Sequence, residues 1–185
     1  LTSAQVLSLS SAQLAALSAE QLASLATSQV SAMTTAQIAT MSADQLNAMS
    51  TAQFSRLGTA QVAAMTTEQV SQLDSDHVAS MTTAQVAALK TAQIEAFSAD
   101  QVTALTTAQA AALTTAQVRA LEAADLAQME SADLAALGTA QVAVLRDVQI
   151  DALTGEQFSA LTTAQLRALT TAQLSRLDAD DVNAL

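Results

Sequence analysis

The sequence predicts an all-α fold, namely a solenoid or superhelix of very short capped helices, with one helix in each eight-residue repeat and 23 repeats. Three observations support this: the period of eight, the residue types at fixed positions in each repeat, and the sorting of charge. From Leu1 to Leu185, every eighth residue is Leu, Met or Phe, without insertion or deletion. Such a strict register indicates that each repeat contacts its neighbours in one geometry.

The repeats are hereafter called octads, and the Leu, Met or Phe residue occupies position 1. Position 6 is Val, Leu, Ile or Phe in every octad except one, where it is Ala110. Position 5 is Gln in 19 octads, and position 2 is Ser or Thr in 14. The residues that replace Gln at position 5 are His77, Asp125, Asp133 and Asp181.

Two other structures with this period are disfavoured. In one continuous helix, eight residues advance about 800°, so the Leu stripe would wind around the helix and never present one face. In a β-solenoid, positions 1 and 6 would point to opposite faces of a straight strand, and Ala and Gln are poor strand formers. A chain of short helices remains.

The residue types predict where each helix begins. With the N-cap at position 2, Ser or Thr caps the helix and Gln falls at N3, which is the capping box. Leu at position 1 and Val at position 6 then occupy the two positions of a hydrophobic staple. In the octad that begins at Leu113, Thr114 is the cap, Gln117 its reciprocal partner and Val118 the second staple residue.

Charge placement supports the same helix boundaries. Of the 17 acidic residues, all but Glu95 and Asp151 lie at positions 2 to 5, in the predicted first turn. Four of the six basic residues lie at positions 7 and 8, in the last turn. The helix dipole favours this arrangement, and a single long helix gives no reason for its repetition every eight residues.

Several octads carry a poor cap at position 2. In four of them the next residue is a better cap, so we expect the cap to move one residue along the chain; these replacement caps are Thr27, Thr91, Ser131 and Asp147. The octad of Glu122 has no such replacement. We therefore predict that it forms the most irregular joint, to be tested by backbone hydrogen exchange.

The same pattern predicts how the octads pack. A helix of about six residues is unstable alone, so neighbouring octads must stabilise it, with positions 1 and 6 collected at the core. Position 7 varies most and is expected to face solvent. Because Gln is kept more strictly than capping requires, we expect its amide also to bridge successive helices or superhelical turns.

Composition excludes several functional classes. The net charge of −11 disfavours nucleic acid and anionic membrane surfaces as partners. The chain has no Cys, and no apolar run approaches the roughly 18–20 residues of a membrane span. It contains no nucleophile beside a base, no phosphate-binding Gly-rich loop and no cofactor fingerprint. The sequence thus predicts no enzyme and no cofactor.

Two groups of residues could supply metal ligands, one acidic and one around the single histidine. Glu122, Asp125, Glu130 and Asp133 lie at equivalent positions of adjacent octads. If neighbouring octads stack, these four carboxylates could hold Ca²⁺; otherwise they are solvated acids that complement helix dipoles. The single histidine, His77, has Asp74 and Asp76 nearby, but it occupies the Gln position of a regular octad, so we interpret it as structural.

The tandem "LTTAQ(V/L)xAL" octads resemble low-complexity arrays of very large bacterial surface or secreted adhesin-like proteins. This resemblance covers the whole chain and implies an extracellular or cell-surface location. Residues 1–185 are expected to be a single continuous array, a fragment of a longer repeat region, because the pattern is already under way at Leu1 and still running at Leu185.

The predicted function is structural: an extended rod, a spacer or a filament-forming segment whose partner is itself, in neighbouring repeats or in a homo-oligomer. One alternative is a repeat scaffold that binds a protein or surface partner through position 7. A unique patch of unusual residues would favour binding, whereas the deviations are scattered from Ala26 to Asp181. Ice binding through the paired Thr residues at positions 2 and 3 is a further alternative.

Overall fold

The computed structural model describes all residues from Leu1 to Leu185 and contains 23 α-helices of four to six residues, with no β-strand. Every helix begins at position 3 of its octad, which confirms the predicted helix starts except in the four octads where the cap was expected to move. No helix has the length and apolar character needed to cross a membrane. The chain divides into two compact units, Leu1–Ala96 and Phe97–Leu185.

The helices of the first unit are α1 (Ser3–Ser8), α2 (Ser11–Ala15), α3 (Ala19–Ala23), α4 (Thr27–Val30), α5 (Thr35–Ala39), α6 (Ala43–Asn47), α7 (Thr51–Phe54), α8 (Thr59–Ala64), α9 (Thr67–Ser71), α10 (Ser75–Ser80), α11 (Thr83–Ala88) and α12 (Thr91–Glu95). The helices of the second unit are α13 (Ala99–Thr103), α14 (Thr107–Ala112), α15 (Thr115–Ala120), α16 (Ala123–Leu126), α17 (Ser131–Ala136), α18 (Thr139–Val142), α19 (Asp147–Ile150), α20 (Gly155–Ala160), α21 (Thr163–Ala168), α22 (Thr171–Leu174) and α23 (Ala179–Ala184).

Within each unit, a helix contacts the third helix after it. In the first unit α5 packs against α8, and α8 against α11; in the second, α14 packs against α17, and α17 against α20. The same rule holds for the other helix pairs of each unit. The chain of each unit therefore winds as a helical-repeat solenoid, which confirms the predicted fold class.

The joints between helices need no special backbone conformation. At the joint before α12, Leu89 (φ −61°, ψ 142°) and Lys90 (φ −72°, ψ 154°) are both extended. No residue, glycine included, has positive φ. Because two extended residues redirect the chain, the helices do not end in the left-handed glycine that usually follows a helix, and three Gly suffice for the whole chain.

Positions 1 and 6 form the core, as predicted. Side chains at position 6, such as Val62 and Leu134, are fully buried, and those at position 1, such as Leu73 and Leu137, are nearly so. The side chains at position 7 are exposed or partly exposed throughout. Most octads thus bury two large apolar side chains, at about 1.5–3 kcal/mol each, and need their neighbours to do so.

Candidate functional site

The most regular polar feature is the glutamine at position 5, which connects two turns of the solenoid. Gln85 accepts a hydrogen bond at Oε1 from the Thr82 N–H (2.6 Å), while its own N–H donates to Thr82 Oγ1 (3.2 Å). Its Nε2 donates to the carbonyl oxygens of Phe54 (3.2 Å) and Leu57 (2.8 Å), which are 31 and 28 residues earlier. One buried amide therefore caps its own helix and joins it to the preceding turn.

This arrangement recurs in both units and is hereafter called the glutamine ladder. Its members include Gln37, Gln45, Gln53, Gln61, Gln69, Gln85 and Gln93 in the first unit, and Gln141, Gln149, Gln157, Gln165 and Gln173 in the second. The predicted bridge between superhelical turns is confirmed. A buried polar group that lacks partners is costly, which explains why this position admits few substitutes.

The capping box is confirmed at every Ser or Thr of position 2. Thr114, for example, accepts from the Gln117 N–H at 3.2 Å, and its own N–H donates to Gln117 Oε1 at 2.7 Å. The full set of hydroxyl caps is Thr2, Ser10, Ser18, Thr34, Ser42, Ser50, Thr66, Thr82, Ser98, Thr106, Thr114, Thr154, Thr162 and Thr170.

The expectation that a poor cap moves one residue along was wrong. Helices α4, α12, α17 and α19 still begin at Thr27, Thr91, Ser131 and Asp147, with position 2 as the N-cap. At Ala26 the backbone carbonyl takes over the hydroxyl's role and accepts from the Gln29 N–H at 2.9 Å. If the cap moved by one residue, the residues at positions 1, 5 and 6 would no longer face the core and the preceding turn. The packing between turns therefore determines where the helix begins, and the cap preference of the individual residue does not.

His77 replaces only part of the glutamine that it displaces. Its Nε2 lies 2.7 Å from the Met49 carbonyl oxygen, 28 residues earlier, so the imidazole retains one bridge to the preceding turn. Its Nδ1 is buried without a hydrogen-bond partner, and the ring packs edge-on against Phe54 with 5.0 Å between centroids. His77 is thus a buried residue of the core, in keeping with its place in the octad.

Asn47 provides a hydrogen-bond acceptor that His77 does not, and the sequence pattern did not predict this role. Its Oδ1 accepts a hydrogen bond from the Asp74 N–H (3.1 Å). In regular octads the N–H at position 2 donates instead to the Oε1 of the ladder glutamine. Its Nδ2 donates to the Gln72 carbonyl oxygen (2.8 Å). Asp74 is the N-cap residue of α10, but its side chain makes no cap hydrogen bond. The only sequence feature that could have indicated this role is an Asn at position 7. It could be connected with His77 only if the number of residues per turn of the solenoid were already known.

The four acidic metal candidates are not brought together as a binding group. No set of three or more His, Asp or Glu side chains is arranged to hold a metal ion. Stacking joins octads that are three apart: α16 packs against α13 and α19, and α17 against α14 and α20. Glu122 and Glu130 are exposed N-caps, whereas Asp133 is a buried residue in the ladder position.

Asp125 occupies an electrostatically unfavourable place in this group. Partial burial raises the pKa of its carboxyl, and the nearby negative charge of Glu122 raises it further. Helix α16, which contains Asp125, has neither a side-chain cap nor a capping box. Helices α10 and α17 share this deficiency, and all three have a substituted ladder position.

Position 7 meets position 8 of a later turn at the solenoid surface. Asp151 and Arg176, which are 25 residues apart, form a two-bonded ion pair, with 2.9 Å between Asp151 Oδ1 and Arg176 Nε. The hydrogen bond from Arg176 lowers the pKa of the Asp151 carboxyl. Arg119 likewise reaches the Val144 carbonyl oxygen at 3.4 Å. These variable residues thus make surface contacts between turns.

Comparison with known proteins identifies the repeat. The profile of the ALTTAQ repeat matches residues 23–59, 54–83, 78–115, 126–163 and 156–185. The interval 116–125, between the third and fourth matches, contains Glu122 and Asp125, where both the cap and the ladder glutamine are replaced. A search of curated proteins gave no match. Since the matched residues cover most of the sequence, the chain belongs to the ALTTAQ repeat family.

Proposed function

We propose that this chain is a structural segment, a rod, spacer or filament-forming element without catalytic activity. The glutamine ladder carries the proposal. Gln149, for example, is fully buried and donates to the carbonyl oxygens of Val118 (2.8 Å) and Leu121 (2.9 Å). The best-kept residues of the octad, at positions 1, 2, 5 and 6, are thus committed to core packing, capping and stacking.

The proposal extends to organisation and location. Residues 1–185 act as one continuous array, and the resemblance to bacterial surface arrays supports a location outside the cell or at its surface. A structural segment must keep its dimensions as octads are added. Each new octad can do so here, because it repeats the same contacts with the third octad before it.

Small-angle X-ray scattering of chains with different octad numbers tests this function. We expect the maximum dimension to rise linearly with octad number while helicity per residue stays constant above the shortest lengths. A control chain that keeps its composition but has the residues of each octad shuffled should lose both properties. A maximum dimension that does not grow with added octads would contradict a spacer role.

Position 7 supports a second candidate, a scaffold that binds a protein or a surface. The side chains at this position are exposed or partly exposed and vary in chemistry, from Arg119 to Asp151. A depression of about 330 Å³ beside α6 and α9, lined by Ser42, Thr66, Glu68 and Gln72 among others, offers a shallow site for a polar group. If this candidate holds, exchange of the side chains at position 7 should abolish partner capture without loss of helicity.

Ice binding through Thr is the third candidate. The threonines at position 3, such as Thr59, Thr83 and Thr107, are exposed, whereas the hydroxyls at position 2 are used as caps. Measurement of thermal hysteresis tests it directly, with a chain carrying Thr→Ala at position 3 as the matched control.

A further inference from the structure

Asp133 places a buried carboxylate where the ladder has an amide. Its side chain is 3% exposed, within the range of the buried ladder glutamines, and its carboxylate makes no hydrogen bond. Helix α17 has no capping box, so the carboxylate does not accept from the Glu130 N–H. Burial of a carboxylate without a partner of opposite charge is costly. A positively charged partner at this point of the second unit would remove the cost.

Two backbone carbonyls face the same place. Ladder glutamines donate to carbonyls 31 and 28 residues earlier, as Gln165 does to those of Leu134 (3.0 Å) and Leu137 (2.8 Å). The carbonyls in this relation to position 133 belong to Val102 and Leu105, which are 0% and 3% exposed. Neither receives a side-chain donor, and that of Val102 accepts only the backbone N–H of Leu105 at 3.2 Å. With the carboxylate, three oxygen acceptors converge here.

The shorter side chain of aspartate limits which partner can join these oxygens. Aspartate lacks one methylene of glutamine, so its oxygens stop about 1.5 Å short of the place that a ladder Nε2 reaches. Added to the 2.8 and 3.0 Å over which Gln165 Nε2 donates, this leaves roughly 4.4 Å between the Asp133 oxygens and the two carbonyls. A hydrogen bond from a protonated carboxyl spans only about 2.5–3.0 Å. A cation with oxygen ligands at about 2.3–2.6 Å on each side spans the whole distance.

The balance of donors and acceptors also favours a cation over a water molecule. A glutamine amide brings two N–H donors to two carbonyls, so every group is paired. The carboxylate brings no donor and adds an acceptor, and a water molecule has two protons for three acceptors. A cation is attracted to all three oxygens. Carboxylates and backbone carbonyls, completed by water, are the ligands that Ca²⁺ takes in proteins.

Glu130 adds negative charge beside this position. It lies three residues before Asp133, where most octads have Ser or Thr. The preceding octad carries the same combination, and there the charge of Glu122 raises the pKa of the Asp125 carboxyl, which shows that side chains at positions 2 and 5 lie close together. Glu130 is exposed, so its carboxylate is free to turn toward a cation at the ladder position.

We propose that the Asp133 carboxylate and the backbone carbonyls of Val102 and Leu105 form a Ca²⁺ site between two turns of the second unit. The cation replaces the glutamine amide and joins the same two turns of the solenoid. Glu130 supplies further negative charge on the solvent side, and water completes the coordination. So few carboxylates make a weak site, with a Kd of about 10⁻⁴–10⁻³ M. The site is additional to the proposed structural function and does not depend on it.

Urea unfolding of the full chain, Leu1 to Leu185, in CaCl₂ and in EDTA tests the proposal. We expect about 10 mM CaCl₂ to raise the equilibrium constant for folding about ten- to hundredfold, as a site of this affinity requires. NaCl at equal ionic strength should not reproduce the increase. A parent chain that does not respond to CaCl₂ would overturn the proposal. So would an equal response to NaCl, because screening of the negative charge would then account for the effect.

A pair of variants locates the response. Asp133→Gln supplies the missing amide and removes the anion, so it should fold in EDTA and gain nothing from CaCl₂. The matched control Glu156→Gln removes one negative charge from an exposed position of α20, which packs against α17, and should respond like the parent chain. An undiminished response in Asp133→Gln, or an equal loss in Glu156→Gln, would show that Ca²⁺ does not bind at Asp133.

Discussion

Asn47 accepts a hydrogen bond from the Asp74 backbone N–H at 3.1 Å, across one turn of the solenoid. In a regular octad this N–H donates to the ladder glutamine three residues later, but here that position holds His77. Asn47 and His77 together therefore replace two of the three hydrogen bonds that a ladder glutamine side chain makes, since His77 contacts the Met49 carbonyl oxygen. The pitch of the solenoid thus couples two substitutions that lie far apart in the sequence.

This coupling predicts a non-additive mutant pair. Asn47→Ala should cost about 1 kcal/mol in the parent chain, because the Asp74 N–H loses its acceptor. In a His77→Gln background the cost should fall by about half, since the introduced glutamine then accepts from Asp74 and only the bond to the Gln72 carbonyl is lost. Urea unfolding of the four chains measures the coupling, and Ser55→Ala, also at position 7, is the control. Additive costs would contradict it.

Replacement of Asp133 by Gln should stabilise the second unit. Asp133 is 3% exposed and occupies the ladder position. A glutamine there would reach the carbonyls of Val102 and Leu105, which stand in the same relation to it as Leu134 and Leu137 do to Gln165. We expect a gain of about 1–2 kcal/mol in the free energy of unfolding. The control Ala132→Gln, at the neighbouring exposed position, should change little, and a gain as large there would rule out the ladder as the cause.

The raised pKa of Asp125 predicts a stability that falls as pH rises. Because burial and Glu122 raise this pKa in the folded chain, protonation favours folding. The contribution is fully present below the ordinary aspartate pKa and is lost as pH rises through the folded-state pKa. Asp125→Asn should therefore raise Tm more at about pH 7 than at about pH 3, where both chains are neutral at this site. Glu122→Gln should reduce the difference, and a pH-independent effect of Asp125→Asn would contradict this assignment.

Poor caps offer a site-by-site gain in stability. Lys90 already has the cap geometry of Thr82 (φ −72°, ψ 154° against φ −71°, ψ 156°), yet it makes no side-chain cap hydrogen bond. Lys90→Thr should therefore add about 0.5–1 kcal/mol without moving the backbone. The control Lys90→Ala removes the lysine charge without adding a hydroxyl group, so it measures the effect of the charge alone. If the alanine variant gains as much as the threonine variant in thermal unfolding, the cap is not responsible.

The sequence predicted those features that depend on contacts within one octad. The start of α15 at Thr115, its cap Thr114 and the reciprocal Gln117 follow from the spacing within the capping box. The carbonyl partners of the ladder amides in other turns did not follow, because the pitch that sets their offset along the chain arises from packing of whole helices. The partnership of Asn47 with Asp74 was missed for the same reason. The prediction for Ala26 was wrong because it considered only which residue caps a helix best. The contacts between turns, which fix where each helix begins, are not visible within one octad.

The stacking rule gives a minimum length for folding. A peptide of three octads, residues 58–81, contains α8, α9 and α10 and so has no helix with its third neighbour, and none of its glutamines can reach the carbonyls of a preceding turn. A peptide of seven octads, residues 34–89, contains α5 to α11 and includes the pairs α5 with α8, α6 with α9, α7 with α10 and α8 with α11. Because an isolated helix of this length is too short to offset its nucleation cost, the shorter peptide should be largely unfolded and the longer one helical by circular dichroism.

Helicity per residue should rise most steeply at four octads, where the first stacked pair becomes possible, and then level off as interfaces accumulate. Equal helicity per residue in the two peptides would show that the octads fold independently and that the contacts between turns are not what stabilises them.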